Sequence, residues 1–177
     1  MRIIAGDRRG ARIAAPRGDS TRPTGDRVRE AAYNLIGPVD DTAVLDLFAG
    51  SGAMGLEALS RGARRCVFVE SDRAACAVIR GNLEKLRLTG ALVLCKDAFQ
   101  ALREERAAGR AYDLVLVDPP YGAWPELEPR LAEALPGVLG PDGMLVVETT
   151  ARIEPQLPLA VVVSRRYGSA RITLFSR

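Results

Sequence analysis

The sequence contains no histidine. That absence excludes a Ser-His-Asp triad, a histidine general base and any zinc site with histidine ligands. Its three cysteines, Cys66, Cys76 and Cys95, are odd in number and show no C-x-x-C spacing. They are expected to be buried thiols in a reducing cytoplasm, with no metal and no disulfide. No stretch approaches the roughly 20 apolar residues that span a bilayer. The opening residues carry arginines and acids where a signal peptide needs an apolar run, so neither export nor a membrane is expected. Lysine is nearly missing as well, with Lys85 and Lys96 the only two among 25 basic residues. Catalysis must rest on carboxylates, backbone groups, a cofactor or positioning.

What is present fits one substantial core: 177 residues, 47% of them hydrophobic, enough for one domain and a small appendage. The charge is unevenly spread. Between Met1 and Glu30 eight arginines stand against four acids, a surplus of four in a chain whose total is +3. A basic segment on a near-neutral body is the footprint of a polyanion partner. The arginine bias can come from genome composition, but that does not explain the clustering.

Apolar runs alternate with helical patterns along the chain. Strands are expected at Ala43 to Phe48, Cys66 to Glu70, Leu92 to Cys95, Leu114 to Val117 and Met144 to Glu148. Between them helices are expected from about Gly52 to Ser60, from Asp72 to about Leu86, from Asp97 to about Ala107 and over about Leu127 to Leu135. Asp72 and Asp97 are read as N-caps. The run Gly140-Pro141-Asp142-Gly143 reads as a turn before the fifth strand. Ala160 to Ser164 and Arg171 to Phe175, joined near Gly168, complete seven strands, the last pair without a helix between them. The pattern predicts an α/β, Rossmann-like, doubly wound, mostly parallel sheet with one antiparallel strand. Ahead of it, Arg2 to Ala5 and Ala11 to Ala14 read as a small β-hairpin. Pro16 to Pro23 reads as a connector, and Asp26 as the cap of a helix through about Leu35. The expected division is a basic arm over residues 1–24 and a catalytic domain over 25–177.

Two segments carry chemistry. The first, Asp46-Leu47-Phe48-Ala49-Gly50-Ser51-Gly52-Ala53-Met54-Gly55, follows a strand and opens a helix, where open α/β sheets bind ligands. Gly50 and Gly52 allow close backbone approach, and Gly55 allows the helix to pack on the sheet. Glu70, twenty residues after Gly50, ends the second strand and can accept bonds from both ribose hydroxyls. A nucleoside cofactor follows, with a dinucleotide still open at this point. The second segment, Asp118-Pro119-Pro120-Tyr121, ends the fourth strand on the same rim. The prolines alone would only stop a strand. With their neighbours they suit an amine on an aromatic ring, whose lone pair is delocalised. Asp118 and the Pro119 carbonyl can hold the amine hydrogens and turn the lone pair toward an incoming methyl. Pro120 restricts Pro119, and Tyr121 offers a flat face to the base.

Together these segments resemble the class I S-adenosylmethionine methyltransferases with the (D/N)-P-P-Y signature. More closely, the chain resembles the bacterial 16S rRNA guanine-N2 methyltransferase family. The likeness rests on Met1-Arg2-Ile3-Ile4-Ala5-Gly6 with Arg9-Gly10 and Arg12, and on Arg22-Pro23-Thr24-Gly25-Asp26-Arg27-Val28-Arg29-Glu30-Ala31 with Tyr33-Asn34. It continues through Asp46 to Gly52 and through Glu57-Ala58-Leu59-Ser60-Arg61-Gly62-Ala63. It covers essentially the whole chain and thins around Ala123 to Pro129.

The resemblance implies methyl transfer from S-adenosylmethionine to N2 of a guanine in 16S rRNA, naked or in an assembling 30S subunit, by a cytoplasmic monomer without a metal. It places Asp46, Phe48, Ala49, Gly50, Ser51 and Gly52 at the cofactor, with Glu70 and Ser71 at the ribose and Asp97 and Ala98 at the adenine. Thr24 and Arg27 would close over the cofactor or approach RNA. Arg2, Arg8, Arg9, Arg12, Arg22 and Arg29 would contact RNA, and Asp118, Pro119, Pro120 and Tyr121 would form the catalytic segment. Adenine-N6 methylation, a nicotinamide-dependent oxidoreductase and a non-catalytic RNA-binding factor are the alternatives.

Overall fold

The structure is a computed structural model that describes residues 1–16, 25–120 and 122–177. The connector, with Arg22 and Thr24, and Tyr121 lie outside the described residues. After α1 (Asp26–Ile36), strands and helices alternate: β1 (Ala43–Leu47), α2 (Ala53–Ser60), β2 (Arg65–Glu70), α3 (Arg73–Leu86), β3 (Ala91–Cys95), α4 (Ala98–Ala107), β4 (Tyr112–Val117) and α5 (Trp124–Ala134). A 3₁₀ turn at Leu135–Gly137 leads to β5 (Leu139–Thr150), and β6 (Ala160–Tyr167) and β7 (Ala170–Ser176) close the chain.

The strands form one sheet in the order β3-β2-β1-β4-β5-β7-β6. β1 to β5 run parallel, and β7 alone is antiparallel to its neighbours β5 and β6. This is the expected seven-stranded, doubly wound sheet. Its inner strands are buried on both faces, which is why β1 reads as an unbroken buried run. One face carries Val44, Phe68, Leu116, Val146 and Ile172 under α1, α2 and α3. The other carries Leu45, Val69, Val115 and Val147 under α4 and α5. No described helix is long and apolar enough to cross a membrane.

The order also locates the crevice. The chain leaves β1 toward β2 and β3, then returns across the sheet to lay β4 on the other side of β1. Loops after β1 and β4 therefore diverge, opening a gap at their carboxyl ends where such folds take ligands.

Some expectations need correction. Asp26 does not cap α1: it is the first helical residue, and Gly25 stands at the cap position without a side-chain bond. Its carboxylate is taken by Arg29 at 2.9 Å and Arg2 at 3.3 Å. Gly140 to Gly143 do not precede β5 but lie inside it. Tyr112 pairs with Leu139 and Leu114 with Met144, so these four residues loop out of the ladder as a bulge, a place where Pro141 costs no sheet bond. Cys66 and Cys76 are buried free thiols, but Cys95 is exposed at the edge strand.

The amino-terminal segment forms a hairpin-shaped turn with one bridge, Arg2 to Arg12, rather than two full strands. Its stability comes from the body. Ile3 and Ile13 enter the core, while Ile4 N and Ala5 N donate to the Glu57 carboxylate at 2.8 and 2.9 Å. Asn82 on α3 accepts from Ala14 N at 2.8 Å and donates to its carbonyl at 3.0 Å.

Candidate active site

β1 ends at Leu47, paired with Val117 of β4 and Val69 of β2. This register sets the Gly-rich turn between Glu70 and Asp118. Gly52 holds the left-handed conformation, φ 76°, at the entry to α2, which glycine adopts without steric cost. Gly55 serves packing, as expected. A Cβ there would stand 2.4 Å from Phe68 Cε1 and 2.6 Å from Cys66 Sγ, so α2 could not lie so close to the sheet.

Glu70 reaches from β2 across to this turn. One carboxylate oxygen accepts from Gly50 N at 2.8 Å, and the other accepts from Asp72 N at 2.8 Å. The oxygen on Asp72 N also accepts from Ser71 Oγ at 3.4 Å, whereas the one on Gly50 N keeps a second lone pair for a ligand hydroxyl. Asp97 follows β3, whose Cys95 pairs with Glu70, so the two acids share the rim. One Asp97 oxygen caps α4 by accepting from Phe99 N and Gln100 N, both at 3.0 Å. The cap reading of Asp97 holds, as does that of Asp72 over α3.

Asp46 is 2% exposed and accepts from Gly55 N at 2.9 Å. Burial pushes its carboxyl well above the usual range, against the Gly55 hydrogen bond, and the charges of Asp118 and Glu70 add to the rise. The crevice thus takes its negative character from Glu70 and Asp118, while burial disfavours the charge of Asp46 between them. Such a field suits a sulfonium cation and opposes the pyrophosphate of a dinucleotide. The residues present therefore fit S-adenosylmethionine, with Glu70 for the ribose hydroxyls and the Gly-rich turn for close approach.

On the β5 side of Asp118 lies a narrow cleft of about 10 Å³, lined by Pro119, Pro120, Trp124, Glu148, Thr149 and Ile153 among others. Room of this size is what one water needs. Pro119 is buried and Pro120 exposed. Glu148 and Trp124 were not singled out in the sequence, although an acid closing the apolar run Met144 to Val147 is a visible signal. Asn82 was also missed. Besides holding Ala14, it donates to the Ser51 carbonyl at 3.3 Å, tying the amino-terminal segment to the Gly-rich turn.

The arginines separate into different classes. Arg9, Arg12 and Arg27 are exposed. Arg2 is exposed and paired with Asp26. Arg8 is tied down, its Nε donating to the Leu86 carbonyl at 2.6 Å. Arg29, expected at the RNA surface, is fully buried. It bonds Asp26 and the Arg2 carbonyl, and lies 3.6 Å from Glu57. A phosphate cannot reach it there, and its charge is spent inside the fold. Among the described residues no acidic or cysteine cluster could hold a metal ion.

Glu70→Ala is expected to weaken S-adenosylmethionine binding about tenfold or more, the usual effect of losing a bond to a charged group. Glu70→Gln, which can still accept from Gly50 N, should fall between the two. Titration calorimetry on folded variants measures this, and an unchanged affinity would remove Glu70 from the site.

The family profile described as conserved hypothetical protein 95 matches residues 1–176. The chain is 37% identical to the "Putative rRNA methyltransferase YlbH" of Bacillus subtilis over 100% of its own length and 99% of that protein. It is 43% identical to the "Ribosomal RNA small subunit methyltransferase D" of Escherichia coli K12 over 68% of its length, a stretch that spans 60% of that relative. Among solved structures, the "Putative methyltransferase yhhF" of Escherichia coli superposes with a TM-score of 0.83 at 33% identity, covering 100% of this chain and 97% of that one. A hypothetical protein of Thermus thermophilus gives 0.87 at 31% identity, covering 100% and 99%. The chain belongs to the conserved hypothetical protein 95 family, that of the small-subunit rRNA methyltransferase D proteins, and has the class I fold of methyltransferases that use S-adenosylmethionine.

Proposed function

We propose that this protein transfers a methyl group from S-adenosylmethionine to the exocyclic N2 amine of a guanine in 16S rRNA. The observation that carries the reading is the position of Asp118 and Pro119 at the switch point, between the electronegative crevice and the cleft at β5. When bound, S-adenosylmethionine supplies an electrophilic methyl that is already activated, so the protein's task is orientation and electrostatics. The target base leaves its stack to reach the rim. The Asp118 carboxylate and the Pro119 carbonyl accept the amine hydrogens and aim the nitrogen lone pair, and Tyr121 supports the base ring. Positive charge then develops on the nitrogen beside the Asp118 carboxylate, before a proton leaves to Asp118 or to water. The test is transfer of labelled methyl to naked rRNA, assembled 30S subunits and DNA, followed by nucleoside analysis. N2-methylguanosine in small-subunit RNA is the expected product. N6-methyladenine, or label in DNA, would overturn the reading.

Residues 1–24 serve in this proposal as the RNA-contacting element of the 25–177 domain, and the protein acts as a monomer. The exposed Arg9 and Arg12 are the contacts to test, because their backbone is fixed by the docked segment. Arg9→Ala with Arg12→Ala is expected to weaken rRNA binding and to reduce the log–log salt slope by roughly one to two, through lost counterion release. Cofactor affinity should stay constant. Filter binding over a salt series decides it: an unchanged slope makes these arginines a basic surface only.

A further inference from the structure

We infer that the tip of the β6–β7 hairpin is an RNA-contacting surface at the catalytic rim. Arg152, Arg165 and Arg166 there hold phosphates close to the nucleotide that is methylated. The inference rests on the reading of the substrate as rRNA, and it adds a contact that the amino-terminal segment does not provide.

Charge points to this end of the chain. After Thr150 five arginines stand against one acid, Glu154, a basic surplus as large as that of residues 1–30. Residues 31–150, between the two basic segments, hold 12 basic and 17 acidic side chains. The fold then divides the five arginines. Arg177 donates to the Leu139 carbonyl, where β5 begins. Arg171 is 6% exposed and serves the fold. Its Nη1 donates to Ser164 Oγ at 2.7 Å and to Glu154 at 3.4 Å, and its Nη2 to the Ala151 carbonyl at 3.4 Å. Arg152, Arg165 and Arg166 are exposed and form no ion pair among the described residues.

Register brings these three to the site. Val117 of β4 pairs with Val147 of β5, so Asp118 is level with position 148. Position 148 pairs with Ile172 on β7, and Ile172 with Arg165 on β6. Asp118 and Arg165 therefore end one row across the sheet, about 14 Å apart at three strand spacings. A short stretch of single-stranded RNA covers that distance. Arg166 stands one residue nearer the rim. Ala151 N donates to the Ser169 carbonyl at 2.8 Å, which fixes the backbone of Arg152 beside the hairpin turn. Arg171 ties Ser164 on β6 to that same turn, so the tip is held in place before RNA arrives and little ordering is left to binding. The guanidinium fork suits phosphate oxygens. The amino-terminal turn docks at the opposite edge of the sheet. Its Asp7 and Arg8 bond Ser60 and Leu86, the last residues of α2 and α3, shortly before β2 and β3 begin. Arg9 would thus meet RNA far from the reacting base, and the hairpin arginines would meet it nearby.

Arg165→Ala with Arg166→Ala is expected to weaken binding of small-subunit rRNA about 10- to 100-fold at low salt, through lost bonds to charged groups. The log–log salt slope should fall by roughly one to two. Melting temperature and S-adenosylmethionine affinity should match the wild type, because both side chains are exposed. Arg165→Lys with Arg166→Lys keeps the charges and should restore most of the slope. Filter binding over a salt series reads all of this. A photoactivated cross-linker on Arg166→Cys, in a Cys95→Ser background, should attach within a few nucleotides of the methylated base. Wild-type affinity and slope in the alanine pair would overturn the inference, as would an alanine-like slope in the lysine pair or a cross-link remote from the target. A wild-type protein that methylates no rRNA would instead overturn the rRNA reading, and that result shows before any variant is made.

Discussion

Replacing Asp118 by alanine is expected to lower the single-turnover methylation rate by about 10² to 10³, with S-adenosylmethionine affinity nearly unchanged. Removal of one well-placed polar group from a transition state has an effect of this order. Asp118 follows β4 directly, between the Gly-rich turn and the cleft at β5, and in the proposed mechanism its carboxylate stands where the amine becomes positive. Asp118→Asn keeps an acceptor oxygen but loses the charge, so it should be milder. Rapid-quench measurement on the natural RNA at saturating cofactor distinguishes rate from binding. An alanine variant with a near-normal rate would remove Asp118 from the mechanism.

Arg29→Ala is expected to cost about 3–5 kcal/mol of stability, the effect of breaking a buried ion pair and leaving one charge inside. Glu57 is fully buried, and it accepts from Arg61 at 2.8 Å as well as from the backbone of Ile4 and Ala5. Without Arg29 the carboxylate keeps its hydrogen bonds but loses a fully buried counter-charge. For a domain of this size the melting temperature should fall by roughly 6–20 °C. Arg29→Met combined with Glu57→Gln removes both charges and should recover a large part of the loss. Calorimetric melting of the two variants beside the wild type measures the loss and its recovery, and a wild-type melting temperature for Arg29→Ala would show the pair to be idle.

The sheet was legible because its inner strands are nearly continuous apolar runs bounded by turns, a signal that needs no partner to be read. The helix starts at Asp72 and Asp97 were legible for a similar reason, since a cap bonds only two or three residues away. Arg29 was not. Its polarity within a helical pattern reads as solvent-facing, and of its two acids, Asp26 and Glu57, the fully buried one is 28 positions along the chain, on α2. Asp26 followed from the same blindness: its carboxylate looks like a cap until the arginines that claim it are in place. The bulge at Gly140 to Gly143 has turn chemistry and does turn, but whether the ladder resumes on the same strand depends on Tyr112 and Leu139 pairing across the sheet. At the site, the motifs gave Asp118 and Glu70 by spacing alone. Glu148 required the register of β4 against β5, and Trp124 required the cleft.

The amino-terminal segment also bears on how the chain acquires its structure. Beyond the contacts of Arg2 with Asp26 and Arg29, its partners are Glu57 and Ser60 on α2 and Asn82, Lys85 and Leu86 on or at the end of α3, between 52 and 78 positions later. When synthesis proceeds from the first residue, the earliest part of the polypeptide can bind only α1, through Arg2, until these helices have been made. Closing loops of such length slows ordering. Residues 1–14 are therefore expected to dock after α3 has packed on β2 and β3, which makes the first stretch synthesised one of the later stretches to become ordered. Since Asn82 holds both Ala14 and the Ser51 carbonyl, the Gly-rich turn receives its last support at that same stage.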